Sequence, residues 1–355
     1  MAFTLAKASS LGKNEVGFAL DYAQRRGHFA GMKIRLTKAI FTLAALIMVS
    51  CATAPKQPPA PQPLTYQEKQ AFAERAKEPQ IFGLTPYGSA RGPVFEGAFR
   101  PRLNSVGRLD FADRLRKKPL VMLNEKGPLM LIDTASAESW LRVQTAVALG
   151  AQPLGGPQLF ERRASHVPDP VGGFAVLVSA LQLENARMDN AIFYTRNTRG
   201  RLQWLDRGEE NLPVDGVLGA DALRGFEFVR ISLSGGKMIF SGASVYPYRE
   251  NAMTSVPLID VNGGLGVLCR MEGEEVEAVL DVAGDFEVSM GQPDQAVIRQ
   301  LSIGDLVFRQ VSNIPAAKLG LPDDTPPRIG RALLERYDLV INQHGQEILF
   351  EKPTL

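Results

Sequence analysis

The chain is short of the side chains that nucleophilic and metal chemistry most often use, with 3 histidines and 2 cysteines in 355 residues. Beyond residue 50 only His166 and His344 remain, far apart and both in turn-like settings. A serine or cysteine triad, or a histidine metal site, would have to be built from those two. No glycine-rich loop runs into Lys-Ser or Lys-Thr, and Gly264-Leu265-Gly266 lacks the helix that a dinucleotide fingerprint needs. Two cysteines allow one disulfide at most, and Cys269, in an apolar strand with only Arg270 as a basic neighbour, reads as a buried core thiol. Basic charge is in excess only at the N-terminus: residues 1–50 hold 7 Lys and Arg against 2 Asp and Glu, leaving 33 against 36. Nothing in that balance invites nucleic acid.

What is present is apolar content of 45%, with 33 glycines and 24 prolines, which suits two cores built from many short strands and turns. Lys33, Arg35 and Lys38 precede the apolar run from Ala39 to Val49, a pattern of secretory leaders and too short to span a bilayer permanently. Residues 1–31 fit no targeting class, so 1–50 is expected to be an extension plus a signal peptide, with Met32 as the start. Met48-Val49-Ser50-Cys51 resembles a bacterial lipobox. The resemblance implies lipid on Cys51, membrane anchoring and a place on the periplasmic side of the envelope; Ala52 after the cysteine points to the outer membrane. An ordinary signal peptide that contains a cysteine is the alternative. Residues 52–63 carry 5 prolines and read as an extended tether, and Thr65 to Lys77 as a weakly amphipathic docking helix. The expected organisation is therefore 51–100 as tether and helix, 101–248 as a first lobe and 249–355 as a second.

The lobes are expected from an internal repeat. Leu120 to Leu123 and Leu129 to Ile132 form a hairpin whose second arm ends at Asp133; Gly266 to Met271 and Val276 to Leu280 form one ending at Asp281. Further hairpins follow at Leu183 to Thr195 and Leu301 to Val311. Each unit closes with a strand entering a short helix at Gly219 or Gly330, then two strands around a turn. Gly219 to Phe240 spans 21 residues and Gly330 to Phe350 spans 20, so the two ends superpose almost one to one.

An apolar strand into Asp133-Thr134-Ala135-Ser136, followed later by Gly-Val-Leu-Gly-Ala-Asp-Ala-Leu and a closing hairpin, resembles the aspartic peptidases. It is similar to the retropepsin-like branch, duplicated in one chain as in pepsin, over about Pro119 to Phe350. The resemblance implies an all-β, two-lobed fold and Asp133 and Asp281 as catalytic acids over one water. It also implies an extended peptide or protein substrate, a monomer, and no metal or organic cofactor. Two carboxylates a hydrogen bond apart cannot both ionise, so such a pair offers a base and an acid together. Small residues must follow each acid where the turns meet: Ala135 and Ser136 in one copy, Ala283 and Gly284 in the other. By the resemblance, Thr134 sends its hydroxyl to the opposite turn. Val282 stands where Thr or Ser is expected, leaving that grip one-sided and favouring a silent, peptide- or partner-binding protein as the alternative. Asp133 lies 86 residues before Gly219 but Asp281 only 49 before Gly330. The surplus is expected to carry a flap at Gly172, Gly173 and Phe174, or a plain surface loop. Asp221 reads as a capping or turn acid.

Overall fold

The computed structural model describes residues 64–89, 92–97, 102–103, 106–112, 118–123, 127–155, 174–184, 186–196, 214–291 and 296–353. The leader, Cys51, the tether, Gly172 and Gly173 lie outside the described residues. The first element is a helix, Tyr66–Ala73. Thr65 opens it by a reciprocal cap: its Oγ1 accepts the Glu68 N–H at 3.3 Å, and the Glu68 carboxylate accepts the Thr65 N–H at 2.8 Å. The charged sequence leaves one buried anchor, Phe72, whose ring lies 5.9 Å from that of Phe174.

The first-lobe sheet runs, in spatial order, Leu120–Met122, Leu129–Ile132, Gly216–Leu218, Trp140–Arg142, Ala186–Arg196, Ala175–Leu183 and Gln152–Leu154. The second-lobe sheet runs Ile259–Val261, Gly264–Met271, Glu274–Asp281, Arg328–Gly330, Val288–Met290, Leu306–Pro315 and Val297–Ile303. The pairings repeat. In each lobe the acid-bearing strand lies parallel to the closing strand, which is antiparallel to the strand after the acid, which in turn is parallel to one arm of a long hairpin.

A third sheet of six strands takes three from each half. At its seam Phe228–Ser232 pairs antiparallel with Asp338–Asn342, placing Arg230 opposite Val340. The large apolar core runs from Leu109 and Ile132 through Ile231 and Leu339 to Val288. This is the all-β, two-lobed, acid-protease type of fold built from an internal repeat.

Both long hairpins exceed expectation, the second-lobe one, expected at Leu301 to Val311, running Val297–Ile303 against Leu306–Pro315. The hairpin expected at Leu183 to Thr195 is longer and starts earlier, with Ala175–Leu183 against Ala186–Arg196. Its first arm is buried continuously over Ala175 to Val178, which hides the alternation of a strand, and its turn falls at Glu184 with φ of 49° in place of glycine or proline.

Candidate functional site

Each acid sits where its strand ends in a turn that must pass beneath the closing strand. Asp133 Oδ1 accepts the N–H groups of Ala135 at 2.9 Å and Ser136 at 3.1 Å, and Asp281 Oδ1 accepts that of Gly284 at 2.8 Å. The third residue after each acid then anchors the crossing: Ser136 O accepts the Ala220 N–H at 2.7 Å and Gly284 O the Arg331 N–H at 2.8 Å. Backbones this close leave no room for a side chain. A Cβ on Gly219 would lie 2.7 Å from the Glu138 carbonyl, and one on Gly330 only 2.1 Å from the Phe286 oxygen. The small residues and the two glycines therefore follow from the crossing itself.

The lobes grip each other through Thr134. Its Oγ1 accepts the Val282 N–H at 3.1 Å and donates to the Leu280 carbonyl, all in the buried interior. Val282 is fully buried and has no hydroxyl to return the contact. Ala283 of the second lobe is buried in an apolar cluster of first-lobe residues that includes Leu120 and Trp140. In Thr134→Val the shape is kept while a buried N–H and a buried carbonyl lose their partner. We expect a loss of about 2–3 kcal/mol in denaturant unfolding; an unchanged midpoint would show that the hydroxyl does not join the lobes.

Asp281 is fully buried and Asp133 nearly so. Burial, and then the charge of Asp133, push Asp281 up to about 7, against the opposing pull of Arg328 and the Gly284 N–H. Asp281 thus feels the charge of Asp133 across the lobe boundary. Arg328 Nη1 lies 3.1 Å from Asp281 Oδ2, so this carboxylate is held on Oδ1 by a backbone amide and on Oδ2 by a cation. A cavity of about 360 Å³ opens over Asp133 and Arg328, lined on the first lobe by Asp133, Ser136, Trp140 and Val217 and on the second by Val261, Asn262, Val279 and Arg328; the fully buried Asp281 does not line it.

The structure brings together Asp133, Thr134, Ala135, Ser136, Asp281, Ala283 and Gly284 at the lobe junction. It does not bring Phe174 there. Phe174 is buried in the core, its N–H on Thr195 Oγ1 at 3.2 Å and its carbonyl accepting the Thr195 N–H at 2.8 Å, so it opens a hairpin and is no lid. Asp221 stands in the first turn of the short helix Ala220–Leu223, where its Oδ1 accepts the Ala222 N–H at 2.7 Å, the turn role expected of it. Its Oδ1 accepts the Ser139 N–H at 2.7 Å and hydroxyl at 2.6 Å, tying the short helix to the strand after Asp133, and burial raises its carboxyl. Cys269 is a core thiol that burial pushes up to about 12. Arg328 was not among the expected site residues, although the repeat marks it: it stands two before Gly330, where the first lobe has Val217 two before Gly219.

No family model matches the chain, and no curated protein matches it. Among solved structures it is similar to basic 7S globulin from soybean, at 12% identity over 71% of this chain and 95% of that one, with a TM-score of 0.41. It is also similar to conglutin gamma, a basic 7S globulin from lupine seeds, at 12% identity over 71% and 95%, with a TM-score of 0.37. The family expected from the sequence is corrected accordingly. Membership of the retropepsin-like or pepsin-like peptidases, on a bacterial lipoprotein, finds no support in a family model or a curated relative, and these neighbours are seed globulins.

Proposed function

We propose that the cleft between the lobes binds an extended peptide or a segment of a partner protein and leaves it uncut. The observation that carries this reading is the ion pair of Arg328 with the fully buried Asp281. A proton is shared evenly only between two acids in like surroundings, and a guanidinium on Asp281 alone makes the pair unequal, although burial and Asp133 still keep Asp281 neutral below about pH 7. Val282 adds to this by leaving the second turn without the hydroxyl that would tie it back to the first. What remains is a cavity whose lining mixes apolar Trp140, Val217, Val261 and Val279 with polar Asp133, Asn262 and Arg328, a surface suited to an extended chain.

A second reading, hydrolysis by a water between the acids, has one observation in its favour. Burial and Asp133 keep Asp281 well above the ordinary carboxylate range, so a proton is within reach of sharing. The two readings separate in one experiment. The folded chain is incubated with a random peptide library from pH 4 to pH 7.5, bound peptides are recovered, and fragments are sought by mass spectrometry, with Asp133→Asn alongside. We expect recovered peptides and no fragments. Fragments that vanish in Asp133→Asn would replace the first reading with the second, and no recovered peptide would remove both.

A further inference from the structure

The second-lobe wall of the cavity is the turn of a hairpin, Ile259–Val261 against Gly264–Met271. Asn262 at φ of 53° and Gly263 at 84° form its two-residue tip, a geometry that suits Asn-Gly. The tip carries cavity-lining Val261 and Asn262, and it stands over the turn of the first acid. A Cβ on Gly264 would be 3.4 Å from the Cα of Ala135, and Leu265 N–H donates to the Thr134 carbonyl at 2.9 Å. Where this tip sits therefore sets the width of the cavity above Asp133.

Its position is fixed from the other lobe. Arg224, at the C-terminal end of the helix Ala220–Leu223, sends Nη1 to the Gly263 carbonyl at 3.1 Å and Nη2 to the Gly264 carbonyl at 3.0 Å. The same Nη2 lies 3.0 Å from Asp260 Oδ2, while Asp260 Oδ1 accepts the Gly263 N–H at 2.7 Å. The half-exposed ion pair adds little. The two charge-assisted bonds to successive carbonyls use the planar fork of arginine, which lysine cannot reproduce. The latch is one-sided. By the repeat, the counterpart of Arg224 is Glu335, which pairs with Arg331 of its own helix at 3.7 Å.

We infer that Arg224 is a positioning residue for the cleft: it holds the Asn262-Gly263 tip as a fixed wall and so sets the affinity for an extended peptide. This rests on the binding reading above. The test uses a fluorescent decapeptide selected from a random library on the unmodified chain, together with amide hydrogen exchange. In Arg224→Ala we expect the Gly263 and Leu265 amides to exchange about tenfold faster or more, and the peptide to bind about tenfold more weakly. Amides of the seam strand Phe228–Ser232 should keep their rates. Arg224→Lys should fall between the two chains, and it replaces Arg224→Ala should that variant not fold. Unchanged exchange at Gly263 and Leu265 overturns the latch. Faster exchange with undiminished peptide affinity overturns the positioning role while the cleft still binds. An unmodified chain that selects no peptide overturns the binding reading, and this inference with it.

Discussion

Replacing Arg328 with methionine makes the stability of the fold fall with rising pH beyond the point where the unmodified chain levels off. The sign follows from Asp281. Its folded value, about 7, lies above the ordinary 3.8, so its contribution is fully present below about pH 4 and is lost as pH rises toward 7. Above that the charged form is tolerated, because Arg328 at 3.1 Å and the Gly284 N–H at 2.8 Å hold it. Methionine keeps the apolar stem beside Val279 and removes the cation, so Asp281 retains its proton to higher pH. The loss then continues at up to about 1.4 kcal/mol per pH unit. Urea unfolding at pH 5 should find the variant within about 1 kcal/mol of the unmodified chain, and at pH 9 about 3 kcal/mol below it. The double variant with Asp281→Asn should lose the added slope. An offset equal at every pH would mean that Arg328 contributes packing alone and does not act on the charge of Asp281.

That prediction turns on a residue the sequence displayed without explaining. The acids, their small neighbours and the two glycines were legible because the chain states them twice, and because the crossing of turn and strand admits little else at Gly219 and Gly330. The small residues of the two turns follow from the same constraint: Ala135, Ser136 and Gly284 answer to backbone geometry before they answer to chemistry. The charges that decide the character of the site are different. Arg328 reaches an acid 47 residues away and Arg224 two carbonyls about 40 residues away, so neither has a local pattern. Their signal lay in broken symmetry, Arg328 against Val217 and Arg224 against Glu335. Asn262-Gly263 was a hairpin signal in plain sight. Phe174, whose ring suggested an apolar lid, is instead buried immediately before the core strand Ala175–Leu183.

Arg230→Met should cost about 3–5 kcal/mol at neutral pH, because it leaves two buried carboxylates facing each other without a cation. Asp338 and Glu351 are direct cross-strand partners, an arrangement that like charges destabilise. Arg230 stands between them, its Nη2 at 2.8 Å from Asp338 Oδ2 and 3.1 Å from Glu351 Oε2, and Tyr246 donates its hydroxyl to Glu351 Oε1 at 2.7 Å. Burial holds Glu351 above its ordinary value, so its contribution, like that of Asp281, is lost as pH rises, and the deficit in Arg230→Met should shrink at pH 5. Arg230 is the middle residue of its seam strand and Val340 the middle of its partner, so here too one half of the repeat carries the charge and the other an aliphatic side chain. If the set exists to favour this one register of the seam, replacing all of it should cost little. Arg230→Met with Asp338→Leu, Glu351→Leu and Tyr246→Phe is expected within about 2 kcal/mol of the unmodified chain. Both halves share the six-stranded sheet, so the single variant should unfold in one transition at a lower denaturant midpoint. Two separated transitions would show that the seam does not couple the lobes, and a fourfold variant as unstable as the single one would show that the buried charges contribute net stability in their own right.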